Sequence, residues 1–272
     1  MPRVRCNGLE LHYADVGRGE PVVFLNGLAG DHLYWNGQVR AFAGRFRCLA
    51  LDNRDAGQSE YSPAAYAIAD LADDVAALLS ALDLPPAYVV GLSLGGMIAQ
   101  ELALRHPGRV RGLCLAGTLA RADDWFRATL TTYGHIRRQV ADTPAFFEAL
   151  LPWLVSHRFF ESPSKLEWLQ AFLHQCAFPQ KTDGFFRQLE AIRGHDVLER
   201  ASAVRCPALV VVGEDDLVTP PRYAEQLARC IPQARLHILP GVGHSPVLED
   251  AGGFSRLLDD FLRSVPGGST PG

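Results

Sequence analysis

Short β-branched or leucine-rich runs alternate along this chain with longer segments of helical period, and that alternation restricts the fold more than any other feature. Strands buried on both faces read as continuous apolar runs, so the pattern predicts a mainly parallel sheet covered by helices on both sides. The strand candidates are Val22–Leu25, Phe46–Leu51, Ala87–Val90, Val110–Leu115, Ala208–Val212 and Leu236–Leu239, each too short for a core helix. Between them, Ile68, Leu71, Val75, Leu78, Leu79 and Leu82 recur at three- and four-residue intervals. They place one apolar stripe on a helix whose other face carries Asp70, Asp73 and Asp74. Phe254, Leu257, Leu258, Phe261 and Leu262 repeat the pattern near the C-terminus.

The alternation stops between Leu119 and Leu198, where no strand signal occurs and aromatic residues crowd into helix-like segments. We read residues 119–198 as a helical cap inserted into one core domain made of residues 1–118 and 199–265. Trp125 and Trp153 of the cap are candidates for substrate contact, with packing of the cap onto the core as the alternative role. The Pro-, Gly- and Ser-rich tail 266–272 is expected to be disordered.

At 272 residues and 48% hydrophobic, the chain can bury one sizeable core and not two equal domains. A net charge of −4 lacks the basic excess that draws proteins to nucleic acid or anionic lipid, and favours a small, near-neutral substrate. No segment approaches the roughly 18 apolar residues of a membrane span, and the N-terminus has no apolar stretch of signal-peptide length. A soluble cytoplasmic protein, monomer or homodimer, is expected. The six cysteines (Cys6, Cys48, Cys114, Cys176, Cys206, Cys230) are scattered singly without CxxC spacing, so buried free thiols are expected rather than a disulfide or a metal site.

The strongest local motif is Gly91-Leu92-Ser93-Leu94-Gly95, directly after one predicted strand and directly before a predicted helix. A strand that turns sharply into a helix strains its central residue, and small neighbours let the helix approach the strand closely. Ser93 would project from the top of the sheet as a nucleophile. The following helix aims its first N–H groups at developing negative charge, so the Leu94 amide becomes one oxyanion donor.

A serine hydroxyl needs a base and an orienting carboxylate. Pro240-Gly241-Val242-Gly243-His244-Ser245-Pro246 puts an imidazole in a glycine-rich loop beyond a strand end, where ligand-facing loops of open α/β sheets lie. Of the nine histidines, His244 alone has this setting: His12 falls in an N-terminal strand, and His106 and His237 beside or within regular elements. The segment Val212-Gly213-Glu214-Asp215-Asp216 supplies the carboxylate after another apolar strand, with Asp215 and Asp216 both open. The loop Asn26-Gly27-Leu28-Ala29-Gly30 follows an early strand, and the Leu28 amide is the candidate second oxyanion donor. Asn26 is a candidate for substrate contact and equally for fixing that loop through backbone hydrogen bonds.

The series LNGLAGDHLYW, LALDNRDAGQS, GLSLGG, GEDDLVTPP and GVGHSPVLED, in this order, resembles the motifs of the α/β-hydrolase superfamily over nearly the whole chain. The resemblance implies an eight-stranded, mostly parallel sheet flanked by helices, an inserted helical cap, and no metal or other cofactor. It also implies that the triad acid is the fourth position of G-x-x-D-x-x-x-P, which here is Asp216, with Pro220 completing the match. Within the superfamily the chain is similar to the branch of 3-oxoadipate enol-lactonases, small carboxylesterases and cofactor-free haloperoxidases. Asn26 and Asp55-Ala56 depart from the commoner versions of their motifs, and Arg54 with Asp55 is expected to form a structural ion pair.

These observations lead to a serine hydrolase that cleaves a small, largely apolar ester or lactone through an acyl-enzyme on Ser93. Two alternatives share the fold: a carbon–carbon bond hydrolase with the same triad, and a non-catalytic ligand receptor. A third, an interaction module, would expose Trp125, Trp153 or Trp168 on an apolar patch.

Overall fold

Val22, Val23, Phe24 and Leu25 have no exposed surface, as a strand covered on both faces requires. The structure, a computed structural model, describes residues 2–175 and 177–265. Cys176 and the tail 266–272 lie outside these residues.

The sheet has eight strands: β1 (Arg3–Cys6), β2 (Leu9–Val16), β3 (Glu20–Leu25), β4 (Phe46–Leu51), β5 (Ala87–Leu92), β6 (Val110–Ala116), β7 (Ala208–Gly213) and β8 (Ala234–Leu239), in the order β1-β2-β4-β3-β5-β6-β7-β8. All pairings from β4 to β8 are parallel; β1 and β2 pair antiparallel, as do β2 and β4. All six predicted strands are present, most of them longer by one or two residues. The β1–β2 hairpin turns through Asn7 and Gly8 at φ +48° and +83°, the positive values that an Asn-Gly hairpin turn requires.

Strand alternation divides the core. Val23, Leu25, Leu49, Leu51 and Val89 face one layer with α2 (Ile68–Ala81), α3 (Leu94–Arg105) and α9 (Pro221–Cys230). Val22, Phe24, Cys48, Ala50, Tyr88 and Val90 face the other, with α1 (Asn36–Phe42) and α11 (Ala251–Ser264), which follows the short α10 (Pro246–Glu249). Cys6, Cys48 and Cys114 are buried free thiols as expected, whereas Cys206 and Cys230 are only partly buried.

Between β6 and β7 the chain inserts α4 (Asp124–Gln139), α5 (Thr143–Leu154), α6 (His157–Phe160), α7 (Pro163–His174) and α8 (Thr182–Arg193). Polar contacts fasten this insertion to the loop after β4. Arg187 Nε and Nη2 donate to the two Asp55 carboxylate oxygens, Gln188 Nε2 to the Arg54 carbonyl at 2.9 Å, and Gln180 Nε2 to the Asp55 carbonyl at 2.7 Å. The expected Arg54–Asp55 pair is therefore not formed. Asp55 has φ +66°, which carries its carboxylate away from its neighbour, and Arg54 instead forms a two-pronged pair with Asp74 of α2 at 2.6 Å. Among the described residues no helix is long and apolar enough to cross a membrane.

Candidate active site

Ser93 lies between the end of β5 and the first residue of α3, with φ +53° and ψ −115°. A non-glycine residue in such a region costs on the order of 1–3 kcal/mol and persists only where its surroundings enforce it. The surroundings do so here. A Cβ on Gly91 would stand 2.2 Å from the Gly95 carbonyl oxygen, and one on Gly95 would stand 2.1 Å from the Leu25 carbonyl oxygen. Only glycine at both positions lets α3 pack this close to β3 and β5. The Ser93 amide donates to the Ala116 carbonyl at 2.9 Å, and the Thr118 hydroxyl donates to the Ser93 carbonyl at 2.9 Å.

His244 follows β8 on a loop pressed against the loop after β7: a Cβ on Gly213 would meet the Val242 and Gly243 carbonyl oxygens at 2.1 and 2.3 Å. His244 Nδ1 is 2.9 Å from Asp216 Oδ2. The Asp216 side chain is completely buried. Its Oδ1 accepts from the Val218 and Thr219 amides, both at 2.8 Å, and its Oδ2 from the Thr219 hydroxyl at 2.8 Å. With both oxygens occupied, the carboxylate has one orientation, which fixes the imidazole with its proton on Nδ1 and leaves Nε2 free to act as a base. Asp215 points elsewhere, with Oδ2 3.6 Å from His157 Nδ1 of α6.

Ser93 and His244 both line a cavity of about 530 Å³ between the sheet and the inserted helices. Leu28 lines it too, on a tight turn where the Gly30 amide donates to the Gly27 carbonyl at 3.2 Å. Leu94 opens α3, so its amide belongs to the first turn, whose N–H groups have no partner within the helix. The remaining wall is mainly hydrocarbon, including Phe126 and Leu130 of α4, Phe146 and Leu150 of α5 and Phe172 of α7.

The three residues proposed for substrate contact lie off this wall. Asn26 is fully buried, and its Nδ2 donates to the Leu51 carbonyl at 3.2 Å, tying the ends of β3 and β4 together. The Trp153 ring packs edge-on against Tyr133, with 6.3 Å between centroids. Trp125 is 45% exposed and lies beneath the Arg222 guanidinium at 4.7 Å.

Several groups at the site escaped sequence reasoning. Thr219 and Thr118 carry no motif of their own, although the spacing of Asp216 and Thr219 is that of a local side-chain turn. His12, His32 and Asp52 form a buried cluster whose ligand-type atoms lie within 4.8 Å of one another. Gln58 Nε2 faces His12 Nε2 at 3.0 Å, so the His12 proton sits on Nδ1, which donates to Asp52 Oδ2 at 2.7 Å. His32 Nδ1 meets Asp52 Oδ1 at 2.9 Å. The nitrogens that face a common point are thus already engaged as donors, and the cluster is better suited to an internal charge network than to a cation. Burial opposes the Asp52 charge, but the hydrogen bonds from both histidines outweigh it and hold the carboxyl at about 2. Neighbouring Asp31, on the cavity wall, is pushed up to about 6 by burial and then by the Asp52 charge.

Comparison with known proteins agrees with this architecture. A family model described as alpha/beta hydrolase fold matches residues 20–150 and 152–251. The chain belongs to the α/β-hydrolase fold family. As a member of that family it is a hydrolase. It is 34% identical to the putative carbamate hydrolase RutD of Variovorax paradoxus, over 97% of this chain and 99% of that protein. It also resembles the solved enol-lactonase from Burkholderia xenovorans, with a TM-score of 0.86 and 30% identity over 97% of this chain and 100% of that one. A thermophilic esterase from Thermogutta terrifontis gives 0.85 and 28%, over 97% and 99%. Each α/β-hydrolase in this group aligns along its full length, so the similarity includes the inserted helices as well as the sheet.

Proposed function

We propose that this protein is a serine esterase or lactonase acting on a small, largely apolar substrate through an acyl-enzyme on Ser93. The observation that carries the reading is the sealed His244–Asp216 pair, 2.9 Å apart, at the edge of a cavity that Ser93 also lines. In the proposed cycle the Ser93 hydroxyl oxygen attacks the acyl carbon and His244 Nε2 takes its proton. Asp216 stabilises the imidazolium through Nδ1, and the Leu28 and Leu94 amides hold the oxyanion. Collapse expels the alcohol, which receives the proton from His244. A water activated by the same imidazole then releases the acid and restores Ser93. Relatives named as a carbamate hydrolase, an enol-lactonase and an esterase support bond cleavage at an acyl carbon. The apolar wall favours a hydrocarbon-rich acyl group.

The test is hydrolysis of p-nitrophenyl esters from acetate to decanoate by the wild type and Ser93→Ala, with a phosphonate label located by mass spectrometry. Labelled Ser93 and activity lost in the variant support the reading. Absence of both label and turnover sinks it.

A further inference from the structure

On the α4 side of the cavity the wall is formed by Phe126, Leu130, Phe146, Leu150 and Ile192, all nearly or fully buried. One polar group interrupts this hydrocarbon surface. Tyr133, one turn after Leu130 on α4, lines the same cavity and is only 5% exposed. Its ring is held edge-on by Trp153, and its hydroxyl has no hydrogen-bond partner among the described residues. Leaving a buried hydroxyl unpaired costs about 1–3 kcal/mol, which a phenylalanine of the same shape would avoid. On a residue that lines the cavity, this unpaired hydroxyl is the polar group available on the α4 side to something that enters it.

We infer that Tyr133 is a specificity-determining residue whose hydroxyl hydrogen-bonds a second oxygen, a hydroxyl or a carbonyl, on the acyl part of the substrate. This inference rests on the esterase reading above and narrows its substrate class to oxygenated acyl groups. The group is equipped for the role. Burial, reinforced by the nearby Asp216 charge, holds the phenol above its ordinary range, so it stays protonated and able to donate. Tyr133 lines the same cavity as Ser93 and His244. Selectivity built on a buried polar partner is stronger than selectivity built on one more methylene, because the unoxygenated analogue leaves the partner unsatisfied.

The experiment compares kcat/KM for methyl hexanoate, methyl 3-hydroxyhexanoate and methyl 5-hydroxyhexanoate, with acid release followed by a pH indicator, in the wild type and in Tyr133→Phe. The phenylalanine ring preserves the contact with Trp153, so the variant removes only the hydroxyl. The expected result is a preference of about tenfold for at least one hydroxylated ester in the wild type, the size of one net hydrogen bond. Tyr133→Phe should abolish that preference while changing methyl hexanoate by less than about twofold. A merely structural role would lower all three rates together and leave their ratios unchanged. Unchanged ratios, or no preference in a wild type that hydrolyses methyl hexanoate, would overturn the inference alone. Failure of the wild type to hydrolyse any ester would overturn the esterase reading and the inference with it.

Discussion

Asp55 and Arg187 lie 132 residues apart in the chain and share two hydrogen bonds of 2.8 and 2.9 Å, joining the loop after β4 to the last inserted helix. The Asp55 carboxylate is completely buried, and the Arg187 side chain is only 19% exposed. Removing one partner of such a pair strands the other as an uncompensated charge, which is costlier than losing both. Arg187→Ala should therefore lower stability by about 3 kcal/mol. The double variant Asp55→Ala/Arg187→Ala should lose less than the sum of the two single changes, read from urea midpoints.

Asp31 should oppose the stability of the folded state as pH rises. Its carboxyl titrates near 6 when folded, pushed up by burial and by Asp52, against about 3.9 in an unfolded chain. Below pH 4 both states hold the proton and the residue contributes nothing. Between pH 4 and 6 the unfolded state ionises first, and above pH 6 the folded state carries a penalty on the order of 2–3 kcal/mol. Asp31→Asn keeps an oxygen for the Leu33 amide and removes the charge. Unfolding measured from pH 4 to 7.5 should show a stabilisation that is absent at the acid end and grows to that size above pH 6. A constant difference across the range would contradict this.

The two adjacent aspartates should separate sharply. Asp216→Asn disturbs the imidazole tautomer and should reduce kcat by about 10⁴-fold on a chromogenic ester. Asp215→Asn alters only the contact with His157 and should leave kcat within about threefold, since that contact is a partly exposed pair.

Gly117 provides a geometric test of His244 as the proposed base. It has φ +51°, and a Cβ there would approach His244 Nδ1 to 3.1 Å. Gly117→Ala should displace the imidazole slightly and lower kcat by about 10- to 100-fold. KM should change far less, because the substitution lies behind the base and away from the hydrocarbon wall.

The parts of the fold legible in the sequence were those governed by periodicity. Continuous apolar runs located the parallel strands, and the α2 and α11 stripes matched their buried faces except at Leu82 and Leu257, which are only partly buried, and at Asp74, which was read on the polar face and is buried against Arg54. A strand was read around His12, but β1 and the hairpin turn were missed, even though Asn7-Gly8 is a strong turn signal, because the short, largely exposed edge strand β1 lacks a continuous apolar run. At the candidate site, Ser93 and His244 stood out through glycines whose side chains would collide with neighbouring backbone. Residues whose roles depend on contacts across the fold did not stand out. Arg187 finds Asp55, Arg54 finds Asp74, and Tyr133 reaches the cavity only once the inserted helices have closed over it. Aromatic content also misled in detail, since Trp125 and Trp153 pack outside the wall while Phe126, Phe146 and Phe172 form it.

Ser93, Asp216 and His244 follow β5, β7 and β8, whereas the helices over the cavity are threaded between β6 and β7, which are neighbours in the sheet. The roof thus leaves and re-enters the scaffold through two adjacent strand ends, without any of the three side chains proposed to react riding on it. A lineage can lengthen, shorten or repaint that roof while the proposed catalytic side chains stay registered to the strands beneath. What the protein recognises and how it cuts are free to evolve at separate speeds, with the Asp55–Arg187 clasp marking where the interchangeable part is fastened down.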